Sequence, residues 1–98
     1  MYEIRRTDTF SKWLDRLRDA RVRVRVLSRL TRAEEGNLGD TKPVGESVSE
    51  MRIDYGPGYR IYFTKRRNTI VVLLVGGDKS SQEQDIKRAI QLARDLEE

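Results

Sequence analysis

The sequence predicts an α+β domain: an N-terminal strand and two helices packed on an antiparallel sheet of about four to five strands, then a C-terminal helix. Three observations carry that prediction. Apolar residues recur at helical spacing from Phe10 to Ala33, at alternate positions from Val44 into Thr69–Val75, and at helical spacing again from Ile86 to Leu96. A chain of 98 residues fits one domain, read as spanning 1–98. At that size roughly 60–65% of the unfolded surface is buried, enough for one modest core.

Tyr2 to Arg6 suits a short edge strand. Asp8 or Thr9 offers a capping oxygen for a first helix, in which Phe10, Trp13, Leu14 and Leu17 fall at i, i+3, i+4 and i+7. Asp19 can cap a second helix. The next stretch, Arg21 to Val26, alternates Arg and Val as a half-buried strand would. Yet Val22, Val26, Leu30 and Ala33 trace one helical face, and a strand would leave the residues up to Glu35 unexplained. The segment is read as helix, ending in a cap and loop at Gly36–Asp40. It places Arg18, Arg21, Arg25, Arg29 and Arg32 near one stripe, which is either a solvated face or a docking surface for an acidic segment.

After residue 40 the period becomes two. Lys42–Glu46 and Val48–Tyr55 read as strands joined near Ser47, with Met51, Ile53 and Tyr55 on one face and Glu50, Arg52 and Asp54 on the other. Gly56-Pro57-Gly58 makes a turn. In the following strand Tyr59, Ile61 and Phe63 oppose Arg60, Tyr62 and Thr64, and Lys65–Asn68 forms a charged hairpin loop. Thr69–Val75 is almost wholly apolar and β-branched, the pattern of a covered central strand. Ser80 or Ser81 starts the last helix, whose stripe is Ile86, Ala89, Ile90, Ala93 and Leu96/Glu97. The expected packing puts the helices on one face of the sheet and leaves the other largely free.

Composition removes several chemistries. There is no Cys and no His, so disulfides, thiolate sites, Cys nucleophiles, His general bases and His zinc ligands are all absent. Catalysis would fall to Arg, Lys, Tyr, Asp and Glu. No apolar run approaches the ~20 residues of a membrane span, and no secretory signal is visible, so a cytoplasmic protein with no membrane association is expected. Net charge is +4 over residues 1–35, +2 over 36–79 and −2 over 80–98. A basic body with an acidic tail fits a polyanionic partner.

The free face carries the candidate site. In simple hairpin register Arg52 and Arg60 are neighbours, Glu50, Asp54 and Tyr62 share their face, Lys79 lies just beyond the next strand, and Lys65, Arg66 and Arg67 form a rim. This set suits RNA cleavage by the 2′-hydroxyl. Guanidinium forks match phosphate oxygens, Glu50 can accept the 2′-hydroxyl proton, and Lys79 can serve the departing oxygen. Arg60, Lys79, Arg52 and Glu50 are therefore the candidate catalytic residues; Lys65, Arg66, Arg67 and Tyr62 are the candidate RNA-binding residues. No metal or cofactor is implied.

Several blocks together resemble a known family: Phe10-x-x-Trp13-Leu14-x-x-Leu17, Gly36-Asn37-x-Gly39-Asp40, Glu50-x-Arg52-Ile53, Gly56-Pro57-Gly58-Tyr59-Arg60-Ile61-Tyr62-Phe63 and Gly76-Gly77-Asp78-Lys79-Ser80. From about Phe10 to Leu92 the chain is similar to the RelE/ParE superfamily of type II toxins, and within it to HigB-like addiction module killer proteins. The resemblance implies a RelE-like fold and metal-independent, ribosome-dependent endoribonuclease cleavage of mRNA. Partners would be mRNA, the ribosome and a cognate antitoxin of helix-turn-helix type. It aligns Arg60 with the strand arginine that contacts the scissile phosphate, Arg52 with a basic residue on the preceding strand, and Lys79 with a second catalytic cation. Glu50 stands where RelE carries another basic residue, and no His or Tyr follows near Asp85, so the proton acceptor falls to Glu50, Tyr62 or Asp85. The superfamily's other activity, ParE-like inhibition of DNA gyrase by binding alone, is the alternative.

Overall fold

The computed structural model describes residues 1 to 96. The elements are β1 (Glu3–Arg6), α1 (Asp8–Arg16), α2 (Ala20–Glu34), β2 (Thr41–Gly45), β3 (Val48–Ile53), β4 (Tyr59–Arg66), β5 (Ile70–Asp78), a 3-10 turn (Lys79–Ser81) and α3 (Gln82–Leu96). The α+β class and the element order are those the sequence predicts. The last expected stripe position, Glu97, lies outside the described residues. Among the described residues no helix is long and apolar enough to cross a membrane.

The ambiguous Arg–Val segment is helical, and the reason is burial: Val22, Val26, Leu30 and Ala33 are all buried, whereas Val24 stands out in solvent. Asp19 caps it, its carboxylate accepting from the Arg21 N–H at 2.9 Å. The first helix is capped one residue earlier than expected. Thr7 accepts from the Phe10 N–H at 3.0 Å and donates its hydroxyl proton to the Leu74 carbonyl at 2.7 Å, tying α1 to β5.

The sheet order is β1-β5-β4-β3-β2. Strands β2 to β5 form the expected antiparallel meander, but β1 lies beside β5 and parallel to it, making the sheet mixed. The layering also departs from expectation. Helices α1 and α2 cover one face with Phe10, Val26, Met51, Ile61 and Leu73. Helix α3 covers the opposite face, where Ala89 and Ala93 pack on Tyr62, Val72 and Leu74. Strand β5 supplies alternate side chains to both clusters, which is why its sequence is continuously apolar. The supposedly free face is therefore roofed by α3 and stays open toward its ends, one of them beside β3 and the Gly56–Gly58 turn.

A register shift between Tyr62 and Phe63 is followed by two tight glycines. A Cβ on Gly76 would lie 2.2 Å from the Trp13 ring, itself 5.6 Å from the Phe10 ring centroid. Gly76→Ala should force the indole off its seat and lower stability by about 1–3 kcal/mol. Urea unfolding followed by tryptophan fluorescence checks this; an unchanged midpoint would show that Trp13 has room to move.

Candidate functional site

The hairpin register places Arg52 opposite Arg60 and Glu50 opposite Tyr62, while β5 brings Gly77 beside Arg60 and Val75 beside Tyr62. At the centre is Glu50, whose side chain is only 3% exposed. Its Oε1 lies 3.8 Å from Arg60 Nε, its Oε2 lies 3.9 Å from Arg52 Nε, and Gln82 of α3 donates to Oε1 at 3.2 Å. A buried carboxylate is costly unless charged partners and hydrogen bonds compensate, and the two guanidinium groups and the amide supply that compensation. In return Glu50 holds both arginines at one end of the sheet.

The arginines are anchored from the outside as well. Arg52 donates to Asp40 Oδ1 at 3.1 Å, and Arg60 donates to the Gly58 carbonyl at 3.0 Å. The hydrogen bond and charge of Asp40, with Glu50 adding to them, hold the Arg52 guanidinium still more firmly protonated. Behind Arg52, Arg29 of α2 donates to the Arg52 carbonyl and, at 3.0 Å, to that of Leu38. Burial, with the charge of Arg32 adding to it, lowers the Arg29 pKa, and Asp40 opposes the shift. Both site arginines line an open cleft of about 320 Å³ with Asp40, Asp54, Gly58 and Tyr59. Arg60 Nε is buried with no hydrogen-bond partner among the described residues. The chemistry such a cleft favours is capture of an anion with several oxygens.

The other expected residues divide. Lys79 is exposed at the start of the 3-10 turn, directly after Asp78, which pairs with Tyr59. It borders a shallow depression with Gln82, the residue bonded to Glu50, so Lys79 sits at the same end of the sheet. Asp78 organises this turn: its carboxylate accepts from the Ser80 hydroxyl and N–H, and that bonding lowers its pKa, assisted by Ser81 and Arg60 against the effect of burial. Tyr62 is not the surface residue the sequence suggested. It is fully buried beneath α3, because the face expected to be free is covered. Lys65, Arg66 and Arg67 do not join the cluster either. They lie at the far end of β4 and beyond, with Arg66 six strand residues from Arg60, about 20 Å at ~3.3 Å per residue. Lys65 turns to the α1–α2 face with its ammonium 5.9 Å from the Tyr2 ring centroid.

Sequence reasoning missed the supports contributed by Asp40, Gln82 and Gly77. A Cβ on Gly77 would lie 2.0 Å from Asp85 Oδ2, the atom that accepts from the Ser81 hydroxyl at 2.6 Å. The Gly76-Gly77 pair at the strand's end was the available signal: glycine inside a strand marks a close approach.

Burial, then the charges of Glu50 and Asp85, push the Tyr62 hydroxyl up to about 12, with Arg60 opposing. Tyr62 is thus protonated at neutral pH and cannot serve there as the base. Because folding raises this pKa, the folded state retains the proton longer. The associated stability is whole below about pH 10 and is lost as pH rises through about 12. Tyr62→Phe should flatten that alkaline loss. Since it deletes a buried hydroxyl that has no partner among the described residues, it should leave neutral-pH stability equal or higher. Thermal melts from pH 7 to 12 check this, and parallel curves for the two proteins would contradict it.

A mixed five-stranded sheet with two helices before the meander, one after it, and a basic cluster at the meander's open end fits the RelE-like toxin class. Residues 12–97 match the phage derived protein Gp49-like family (DUF891), and the chain belongs to that family, a RelE-like toxin family. A Haemophilus influenzae protein described as uncharacterized is 44% identical over 94 residues, spanning 96% of this chain and 95% of its own.

Proposed function

We propose that the protein is the toxin of a type II toxin–antitoxin pair, a HigB-like endoribonuclease that acts in the cytoplasm and cuts mRNA on the translating ribosome without a metal. The observation that carries this reading is the Arg52–Glu50–Arg60 arrangement at an open cleft: one buried carboxylate fixing two guanidinium groups where a phosphate can enter. Among the described residues no three His, Cys, Asp or Glu side chains converge as metal ligands. Arg60 and Arg52 bind the scissile phosphate and stabilise the charge that develops on its oxygens. The 2′-oxygen attacks phosphorus and the P–O5′ bond breaks, leaving a 2′,3′-cyclic phosphate and a 5′-hydroxyl. Glu50 accepts the 2′-hydroxyl proton, and Lys79 donates one to the departing oxygen.

The same reading calls for a cognate antitoxin. Helix α2 offers a surface for an acidic, partly apolar segment: Val24 is 65% exposed and Leu27 40% exposed, and Arg21 and Arg25 flank Val24.

The test is a translating cell-free extract given purified protein, with mRNA ends mapped by primer extension. New ends within codons that require translation support the reading. Intact mRNA with normal protein synthesis overturns it, and gyrase–DNA adducts in treated cells would then favour the ParE-like activity.

A further inference from the structure

At the opposite end of the sheet from Glu50 lies a cavity of about 430 Å³ lined by Arg5, Arg6, Arg66 and Arg67, with Ile70 and Leu96 among its walls. Arg5 and Arg6 come from the edge strand β1; Arg66 ends β4, and Arg67 begins the turn to β5. Of the four, only Arg5 has a carboxylate partner among the described residues, the neighbouring Glu3.

Two features set this cluster apart from an ordinary solvated surface. Four arginine residues line one cavity, and the like charges they carry raise the cost of leaving it without a bound anion. Arg66 Nη2 is buried yet has no hydrogen-bond partner among the described residues, although buried donors are normally satisfied.

We infer that this cavity is a second anion site, one that grips backbone phosphates of RNA outside the segment being cut. Guanidinium forks take phosphate oxygens two at a time, and the charge density of four of them matches successive phosphates better than a single carboxylate. The cavity and the Glu50 cluster are separated by about 20 Å along β4, so one RNA can engage both ends of the sheet. This inference rests on the protein's acting on RNA, and its test separates the two.

The first arm is a thermal melt in inorganic phosphate against chloride at equal ionic strength. Phosphate should raise the melting temperature of the wild type or of Glu97→Gln/Glu98→Gln, which neutralises the two side-chain carboxylates following Leu96 in the chain. It should not raise that of Arg6→Gln/Arg66→Gln. The second arm measures binding of a fluorescent single-stranded RNA as salt is varied, in an Arg60→Ala background so that the RNA survives. Adding Arg6→Gln/Arg66→Gln should weaken binding about tenfold and reduce the log–log salt slope by about 1.4, at ~0.7 for each phosphate no longer neutralised.

No phosphate response in either the wild type or the Glu97→Gln/Glu98→Gln protein overturns the site. So does an unchanged RNA affinity and slope, and so does binding of a polyglutamate peptide in place of RNA, which would assign the cavity to a protein partner. Intact mRNA in the translating extract, with RNA binding still dependent on Arg6 and Arg66, would overturn the cleavage reading and leave the anion site standing.

Discussion

Arg60→Ala should abolish mRNA cutting in a translating extract, a fall of at least about 100-fold, the scale of removing one preorganised transition-state donor. Arg60 is the best-positioned cation at the site. Its side chain is only 14% exposed, one edge faces Glu50, and its Nη1 is fixed on the Gly58 carbonyl. A cation held this way needs little reorganisation as charge builds on the phosphate. The fold should survive, because Glu50 keeps Gln82 and Arg52 as partners, although losing one of the two guanidinium groups that pair with this buried carboxylate should lower the melting temperature clearly. Arg60→Lys separates charge from geometry: an ammonium keeps the charge but cannot present a planar fork, so it should recover little of the lost rate. Primer extension of mRNA from extracts holding equal amounts of folded variant measures both. Cutting by Arg60→Ala at the wild-type rate would remove Arg60 from the chemistry.

The fold was legible where local pattern and burial agree. Residues Met51, Ile53, Tyr59, Ile61 and Phe63 alternate with the face bearing Glu50, Arg52, Arg60 and Tyr62, and that alternation, with the Gly56–Gly58 turn between the strands, set the cross-strand pairing. The α2 segment was legible because Val22, Val26, Leu30 and Ala33 obey a helical period that overrides the Arg–Val alternation. What was not legible is long-range. Nothing near β1 shows that it pairs in parallel with β5, a strand more than sixty residues away. Nor does the stripe of α3 show which face of the sheet it covers. That one choice turned Tyr62 from an exposed ring into a buried one and brought Gln82 onto Glu50. The split of the basic residues follows from arithmetic available in the sequence: Arg60 and Arg66 occupy opposite ends of one strand. The supports from Asp40 and Arg29 depend on how the Gly36–Asp40 loop folds back, which no local period records.

Glu50 gives the second large effect, and its two substitutions should diverge. Glu50→Ala takes the acceptor from the Gln82 amide and leaves two guanidinium groups facing each other across β3 and β4 without the carboxylate that pairs with both. Removing one member of a buried charged group costs about 3–5 kcal/mol, a large share of the ~5–15 kcal/mol that holds a domain of this size together. Glu50→Gln keeps the shape and an acceptor oxygen while losing the charge, so it should cost about half as much and remain folded. If Glu50 takes the 2′-hydroxyl proton, folded Glu50→Gln should still bind RNA yet cut it about 100-fold or more slowly, the scale of a lost general base. If Glu50 only holds the arginines in place, Glu50→Gln should cut within a few-fold of wild type once corrected for the folded fraction. Denaturant unfolding and the cleavage assay, run on the same preparations, distinguish the two roles. The second outcome would move the proton acceptor to Asp85, which the Gly77 backbone admits to the same end of the sheet.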